Sequence, residues 1–353
     1  MRTRAAARLT PLNSFIWVLR VCALALIVWG AFFSLASGRL SGSQWRDLAM
    51  FGVSQGSLYA LVALGYTTVY GILRFINFAH GEVFMVGAIA GWASFAPLVS
   101  SNLWFTNRFF SLAIVFVVCV ASSSSLAMAL ERLVYRPLRG APRLTLMVAS
   151  IGASVLIQYA VLALVGPLTK AWPRVPELGG WWTVLGFRVF RTQVLVMAGA
   201  ALMLAGLYLL VERTRAGRAM RAVGEDIHAA ALMGIDIDRT IARTFVIAGA
   251  MAGAAAFLFA LLFPRIDFLT GLPVGLKAFT AAVLGGIGNI PGAVLGGYVL
   301  GLLEALGPSL VLAGLGIPAA WQLKDVLTFI VLILVLIFRP SGLLGERLPQ
   351  DAR

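Results

Sequence analysis

A short polar stretch at residues 76–82 lies between two long apolar runs and carries side chains that could do chemistry. Its sequence, Ile-Asn-Phe-Ala-His-Gly-Glu, holds Asn77, His80 and Glu82 close together. A His and a Glu two residues apart could relay a proton, and with the amide they could line a path for a polar solute. Charged side chains and backbone outside a helix persist at membrane depth only where they face protein or a water-filled path. The stretch therefore indicates a route through a bilayer.

Three further polar residues lie in apolar surroundings in the C-terminal half of the chain. The complete set of residues predicted to line a path is Asn77, His80, Glu82, Lys277, Asn289 and Glu304. Each of them can equally be a buried, hydrogen-bonded packing residue or a side chain that reaches the membrane surface. Spacing alone leaves both interpretations open.

One motif favours an enzymatic function: residues 52–56 match the G-x-S-x-G pattern of serine hydrolases, with Ser54 at its centre. An intramembrane serine protease is therefore an alternative, but the context of the motif argues against it. The nucleophile of that motif stands on a strand-to-helix turn, whereas this pentapeptide opens an apolar helix. Gly52 and Gly56 also have the small-xxx-small spacing of closely packed membrane helices.

The sequence contains no recognised motif for binding a metal ion or a nucleotide. His80 and His228 are the two histidines of the chain, and neither belongs to an H-E-x-x-H pattern or a carboxylate cluster. The G-x-x-x-x-G-K-[ST] phosphate-binding loop does not occur. We predict that this chain binds no metal and no cofactor, and that ATP and magnesium, if they are used, are bound by partner subunits.

Composition places the chain in the membrane. Of its 353 residues, 60% are hydrophobic and 12% charged, with a mean hydropathy of +0.94, whereas about a quarter of the residues in soluble domains are charged. The net charge of +14 would suggest nucleic acid in a soluble protein. Here the basic residues lie mostly between apolar runs, where they orient the chain, so no nucleic-acid partner is predicted.

The apolar runs predict an all-α, polytopic transmembrane helical bundle with about eight to nine crossings, because most reach the ~20 residues of a spanning helix. They lie at 14–37, 48–70, 82–99, 109–130, 144–166, 193–211, 244–263, 277–306 and 324–338. Basic residues are twice as frequent on one side if the N-terminus, the 131–143 and 212–243 loops and the C-terminal tail are cytoplasmic. Keeping Arg339 on that side requires the 277–306 run to enter the membrane and return.

Two broken or re-entrant segments are thus predicted, near 71–82 and 285–292, both entering from the outer face. The glycines and the proline that would permit the breaks are Gly71, Gly81, Gly285, Gly286, Gly288, Pro291 and Gly292. Paired breaks of this kind mark the path in many transporters.

The first apolar run is ambiguous, since Arg2, Arg4 and Arg8 precede a stretch that ends like a signal-peptide cleavage site. We favour a retained helix because the basic region is long for a signal peptide. The predicted organisation is an N-terminal extension at 1–46, a transmembrane domain at 47–345 and a cytoplasmic tail at 346–353.

The loop between Arg213 and Arg243 predicts a short helix. Glu225 and Asp226 stand where acids favour a helix N-terminus, and Gly234 can end the helix. Ala230 belongs to a face of small residues that could dock into a partner's groove. An ordinary connecting helix on the membrane surface explains the same pattern.

Several segments in chain order, from about residue 48 to 345, carry a resemblance to a known family. They are 56–61 (Gly-Ser-Leu-Tyr-Ala-Leu), 69–73 (Val-Tyr-Gly-Ile-Leu), 76–82, 135–140 (Tyr-Arg-Pro-Leu-Arg-Gly), 213–220 (Arg-Thr-Arg-Ala-Gly-Arg-Ala-Met), 277–292 and 339–345 (Arg-Pro-Ser-Gly-Leu-Leu-Gly). Together they resemble the LivH-type inner-membrane permease subunit of the high-affinity branched-chain amino acid ABC importer.

The resemblance implies a bacterial inner-membrane complex with a second, homologous permease of the LivM type, two cytoplasmic ATP-binding subunits and a periplasmic solute-binding protein that delivers leucine, isoleucine or valine. It also implies that an ATPase-coupling helix touches the ATP-binding subunits. The residues that match this helix are Glu225, Asp226, Ala229, Ala230 and Gly234.

Two parts of the chain depart from the family pattern. Residues 1–45 look like an addition ahead of the family core, and the outer loop at 168–192 carries no motif of the family. Because that loop would face the binding protein, its divergence leaves the identity of the solute open. A urea or short-amide permease of the same superfamily and a proton-coupled carrier working alone are the remaining alternatives.

Overall fold

The computed structural model describes residues 11–184, 187–339 and 341–345, and helices dominate it. The helices are α1 (Pro11–Ala36), α2 (Gly42–Leu73), α3 (His80–Ala93), α4 (Phe95–Ser100), α5 (Leu103–Thr106), α6 (Arg108–Leu130), α7 (Arg143–Val165), α8 (Arg191–Arg213), α9 (Arg215–Glu225), α10 (Ile227–Leu232), α11 (Ile237–Leu262), α12 (Gly271–Gly285), α13 (Ile290–Gly307) and α14 (Lys324–Phe338). Single π-helical turns continue α6 (Glu131–Tyr135) and α13 (Pro308–Leu312).

Within these described ranges, eight helical segments are long and apolar enough to cross a membrane. They are Gly42–Leu73, His80–Ser100, Arg108–Tyr135, Arg143–Val165, Arg191–Arg213, Ile237–Leu262, Ile290–Leu312 and Ala320–Phe338. The predicted polytopic helical bundle is confirmed. Helix α12 is shorter, with 15 residues, and forms one arm of a hairpin whose other arm is α13. The 277–306 run therefore enters and returns, as its charge pattern required.

The centre of the bundle is the packing of α2 against α13. These helices run antiparallel, with Gly56 beside Gly301 and Ala60 beside Gly297. Their backbones touch, because a methyl group added to Gly297 or Gly301 would collide with main-chain atoms of the facing helix. Small residues that admit such close approach are the usual basis of helix association in lipid, where the hydrophobic effect between helices is lost.

Both breaks begin at one end of the bundle, beside the basic loops. The first break covers residues 74–79, where Arg74 ends α2 in a left-handed conformation (φ 53°) and donates from its guanidinium to the Gly224 carbonyl at 3.1 Å. The second follows α12, with positive φ at Gly286 and Gly288, and Asn289 Nδ2 donates to the Leu344 carbonyl at 2.8 Å. We call this end of the bundle, where the 136–142 and 214–236 loops also lie, the basic end.

The predicted break glycines take different positions. Gly71 remains inside α2 and Gly81 inside α3, so neither forms the first break. Gly285 ends α12, whereas Pro291 and Gly292 lie in the first turn of α13, where a missing N–H costs little.

The break near 71–82 begins at the basic end, because α2 stays helical over 32 residues and reaches the α9 segment before it turns. The chain then runs back into the bundle, where the Phe78 N–H donates to Ser150 Oγ and the His80 side chain lies beside Gly65.

Four short strands lie at the opposite end of the bundle. β1 (Lys170–Ala171) pairs with β4 (Arg265–Ile266), and β2 (Trp181–Val184) pairs with β3 (Phe187–Phe190), both antiparallel. Trp172 follows β1 and is buried, with its ring against Phe95 and Phe257. The outer loop that matched no family motif is thus anchored to the bundle by its first tryptophan.

Helix α1 packs on the turn after α13. Ser34 Oγ donates to the Ser309 carbonyl at 2.7 Å, and Gly30 lies against Gly314 and the Val311 carbonyl. Whether the first run is retained or removed, and the division of the chain at residues 46 and 345, stay predictions. The tail at 346–353 lies outside the described residues.

The backbone contact between α2 and α13 predicts that Gly301→Ala destabilises the protein. The added methyl group collides with the Gly56 backbone, and overpacking of this kind costs about 1–3 kcal/mol. The thermal unfolding midpoint of the purified chain in detergent should fall. Gly206→Ala is the matched control, since no described atom beyond the neighbouring backbone of its own helix lies within 4 Å of the position of its Cβ. A Gly301→Ala variant as stable as the control would contradict the backbone contact.

Candidate functional site

The six residues predicted to line a path separate into two buried clusters and two asparagines at the breaks. His80 and Glu82 belong to one cluster, and Lys277 and Glu304 to the other. Asn77 accepts from the Ala79 N–H in the turn before α3, and Asn289 caps α13. The structure therefore does not gather all six at one point.

The histidine cluster comprises Tyr66, His80, Glu82, Ser154 and Gln158. His80 and Glu82 lie in the first turn of α3 and are 2% and 1% exposed. Glu82 Oε1 accepts hydrogen bonds from Ser154 Oγ at 3.2 Å and Gln158 Nε2 at 3.5 Å, both on α7. The His80 ring meets the Tyr66 ring edge-on, with centroids 4.7 Å apart.

Two polar atoms of this cluster have spare hydrogen-bonding capacity. Neither Glu82 Oε2 nor His80 Nε2 has a hydrogen-bond partner among the residues that the structure describes. Buried polar atoms are normally satisfied, so these two atoms are exceptions to the rule. Gly271 and Gly275 of α12 lie directly against Gly81 and the Glu82 carboxylate. Their lack of side chains is what lets α12 approach α3 so closely.

The lysine cluster comprises Gln55, Tyr59, Lys277, Glu304, Lys324 and Asp325. Its centre is an ion pair, in which Lys277 Nζ lies 2.6 Å from Glu304 Oε1. Glu304 is 2% exposed, and its Oε2 accepts from the Tyr59 hydroxyl at 2.6 Å. Gln55 Nε2 donates to the same hydroxyl at 2.7 Å. The buried carboxylate is thus fully engaged, as buried charges require.

The rim of the lysine cluster is formed by the first two residues of α14. Lys277 Nζ also lies 2.8 Å from Asp325 Oδ1, and Lys324 Nζ lies 3.3 Å from Glu304 Oε1. These rim side chains are half exposed, at 50% for Asp325 and 41% for Lys324. The cluster therefore leads from an accessible rim to the buried Tyr59.

Helix α2 connects the two clusters. Tyr59 and Tyr66 are seven residues apart and lie on one face, about 10 Å apart along the helix axis. Since α13 ends and α14 begins at the end opposite the breaks, the lysine cluster lies toward that end. Along α2, Tyr66 of the histidine cluster lies nearer the basic end than Tyr59. Along α12, by contrast, Glu82 meets Gly271, which is farther from the break than Lys277. Two polar clusters thus lie along one apolar helix, α2, and α12 contacts both of them.

The two asparagines stabilise the breaks. Asn77 Oδ1 accepts from the Tyr135 hydroxyl at 2.6 Å and from the Ala79 N–H at 3.1 Å. Asn289 Oδ1 accepts from the Gly292 N–H at 3.1 Å and caps α13. Both amides thus satisfy backbone groups that the breaks release. Their position in a path stays a prediction, and the geometry favours a structural role.

The loop predicted to couple to an ATPase forms two short helices, α9 and α10. Asp226 caps α10, and its Oδ1 accepts from the His228 and Ala229 N–H groups at 2.8 and 3.0 Å. The Ala229 N–H, followed by that of His228, lowers the pKa of the Asp226 carboxyl below its ordinary value. Gly234 follows α10 with φ +80°. Asp226 and Gly234 thus take the capping positions that their residue types favour.

The exposed face of α10 differs from the predicted one. Ala230 is 4% exposed and packs on the bundle, whereas Ala229 faces outward and Glu225 is the exposed last residue of α9. Leu232 and Met233 are 89% and 82% exposed. The buried side follows from the packing of α10 on α9 and α11, which spacing alone did not show. We call Ile227, Ala231, Leu232 and Met233 the α10 apolar face.

A charged network at the basic end was missed by sequence reasoning. Glu131, fully buried in the π turn after α6, pairs with Arg136 at 3.2 Å and with Arg139. Arg139 also pairs with Asp238 at the start of α11. The hydrogen bond to Glu131 raises the pKa of the Arg136 guanidinium. The network ties the 136–142 loop to α11.

Sequence reasoning also missed several other residues of the lysine and histidine clusters, although the sequence holds a signal for some of them. Gln55, Tyr59 and Tyr66 lie on one face of α2, and Ser154 and Gln158 are four apart on α7, so a polar stripe was readable in each. Ser54, the centre of the G-x-S-x-G pattern, lies inside α2 and is fully buried, with its hydroxyl bonded to the Met50 carbonyl at 2.9 Å. That pentapeptide is a helix-packing motif and forms no nucleophile elbow.

Known proteins resemble the chain over most of its length. Residues 48–336 match the family described as branched-chain amino acid transport system / permease component. The high-affinity branched-chain amino acid transport system permease proteins BraD of Pseudomonas aeruginosa and LivH of Escherichia coli K12 are 41% and 40% identical to it, each over 84% of this chain and 94% of the relative. The autoinducer 2 import system permease protein LsrC of Klebsiella pneumoniae is 35% identical over 43% of each chain.

The cap at Asp226 predicts a pH-dependent α10. Because hydrogen bonds depress the pKa of the folded carboxyl, its contribution is complete above the ordinary pKa and is lost as the pH falls through the depressed one. Asp226→Ala should speed hydrogen exchange at residues 228–232 at neutral pH. Asp226→Asn retains an acceptor and should remove most of the acid-dependent change. Equal exchange in the wild type and the alanine variant would contradict the cap.

Proposed function

Because this chain belongs to the branched-chain amino acid transport permease family, we propose that it translocates branched-chain aliphatic amino acids as a permease subunit of an ATP-driven ABC importer. The observation that carries the proposal is the family match over residues 48–336. It contains both polar clusters and the two hairpins around the breaks, α2–α3 and α12–α13, apart from the first residues of α2. The chain is a transport subunit and no enzyme.

The two clusters suit the chemistry of such a solute. An amino acid at neutral pH carries an ammonium and a carboxylate, while its side chain needs an apolar wall. The lysine cluster holds both signs of charge, and the histidine cluster holds a buried carboxylate oxygen and an imidazole nitrogen with spare capacity. Both clusters contact α12, the arm of the second hairpin. We propose that movement of α12 and α13 exposes them in turn, which is alternating access.

We propose an inner-membrane complex in which the C-terminus is cytoplasmic. The excess of basic residues at the basic end supports this orientation. The α10 apolar face lies there too, and exposed Leu and Met side chains on an aqueous loop suit an apolar groove in a partner. We assign that groove to the two cytoplasmic ATP-binding subunits, which bind ATP and magnesium, whereas this chain binds neither. A periplasmic solute-binding protein docks at the opposite end, and a LivM-type permease completes the pair.

Reconstitution of the complete importer in liposomes tests the proposal. Uptake of labelled leucine, isoleucine or valine should require ATP, the ATP-binding subunits and the solute-binding protein. Calorimetric titration of candidate solutes into the binding protein then identifies the solute. Uptake by this chain alone under a proton gradient would favour the proton-coupled carrier. Tight binding of urea or a short amide in place of amino acids would favour the related permease.

The coupling assignment predicts a loss of transport in the double variant Leu232→Ala, Met233→Ala. Truncation of two apolar contacts at an interface costs about 1–2 kcal/mol for each strong contact, so uptake should fall at least about tenfold. Ion-pair contacts and membrane insertion should be unchanged, because both side chains are exposed.

Arg239→Ala is the matched control, since Arg239 is also strongly exposed at the basic end. Co-purification of the ATP-binding subunits measures docking directly. If the double variant retains the subunits and transports like the control, the α10 apolar face is not the coupling surface.

A further inference from the structure

The lysine cluster has an arrangement of charges that a structural ion pair does not need. Lys277 of α12 and Glu304 of α13 form the central pair, at 2.6 Å, and join the two arms of the hairpin. Each member also has a second partner of opposite charge on α14. Lys277 lies 2.8 Å from Asp325, and Glu304 lies 3.3 Å from Lys324. The four charges alternate in sign and sum to zero.

Separation of a buried ion pair is normally unfavourable, because each charge loses its partner in a medium that solvates it poorly. Here the rim residues reduce that loss. When the central pair opens, Lys277 keeps Asp325, and Glu304 keeps Lys324 and the Tyr59 hydroxyl. What the opened pair lacks is one negative group beside Lys277 and one positive group beside Glu304. The half-exposed rim lies toward the end of the bundle opposite the breaks.

We propose that the central pair exchanges partners with the solute and thereby selects zwitterions. The solute carboxylate takes the place of Glu304 beside Lys277, and its ammonium takes the place of Lys277 beside Glu304. This inference rests on the proposed function and deepens it, because it assigns the charge selectivity of transport to Lys277 and Glu304. No covalent bond changes, and every charge stays compensated throughout.

Solutes with fewer charges cannot complete the exchange. A simple amine would pair with Glu304 but leave Lys277 short of an anion, and a simple carboxylate would do the reverse. Urea or an amide would supply hydrogen bonds but no charge, leaving both members undercompensated. The cluster therefore discriminates among classes of solute by charge, whereas shape selection among aliphatic side chains lies elsewhere.

The decisive variant neutralises the central pair with side chains of similar size, Lys277→Met with Glu304→Gln. Replacement of a buried pair by uncharged groups of similar volume is often tolerated, so the importer should assemble. ATP hydrolysis stimulated by the binding protein should continue, while leucine uptake falls by about tenfold or more, since only the solute's interaction with the permease is lost. The control is Asp236→Asn with Arg239→Met, which neutralises an exposed ion pair and retains the acceptor that caps α11.

A second variant tests the selection role of the central pair if the first variant does not assemble. Asp325→Asn with Lys324→Gln changes only half-exposed rim side chains, so folding is retained. Opening of the central pair then becomes costlier, and uptake should fall about threefold, the scale of a partly exposed ion pair. Uptake equal to wild type in this variant, or in the assembled central-pair variant, overturns the selection role. Wild-type importer that fails to carry any branched-chain amino acid overturns the proposed function instead.

Discussion

The contact between the backbones of α2 and α13 is the interaction on which the rest of the structure depends. Facing glycines let the two helices approach until main-chain atoms touch, and only at that separation does the Tyr59 hydroxyl reach the Glu304 carboxylate. The buried charge is then stabilised by a neighbour on another helix. Glycine is costly inside a helix in water, but in lipid the loss is offset by dispersion along the whole contact. Apolar packing and polar chemistry are thus coupled at one interface.

The breaks at the basic end show how unpaired backbone is accommodated. Asn77 and Asn289 accept backbone N–H groups that the breaks release, and Asn289 Nδ2 also donates to the Leu344 carbonyl, which joins the second turn to the 339–345 segment. Nothing in this scheme requires water at the turn itself. The loops that receive the breaks also carry the basic residues and α10. A change at the α10 segment therefore has a short physical connection to the hairpins, through Arg74 and Gly224.

Much of the architecture could be predicted because long apolar runs leave few choices. The run at 244–263 became the buried end of α11, and the charge on Arg339 correctly required the α12–α13 hairpin. The partners in the clusters could not be predicted, since Lys277 and Glu304 meet only through the hairpin and Tyr59 reads as apolar in a hydropathy count. The place of Asn289 in a path stays a prediction, because a polar residue at a break can serve the backbone as well as a path. Burial of Ala230 depended on how α10 packs on its neighbours, which local spacing does not encode.

The glycine contact between α3 and α12 has a mechanical consequence. Gly81, Gly271 and Gly275 present no side chains to one another, so main-chain atoms of α3 and α12 face each other there, with the Glu82 carboxylate beside Gly271. Motion across such a seam meets hard main-chain contact, whereas motion along it displaces few side chains. Sliding of α12 along α3 therefore meets less resistance than closer approach of the two helices. A shift of one helical residue along the seam, about 1.5 Å, would change which atom of α12 faces the Glu82 carboxylate.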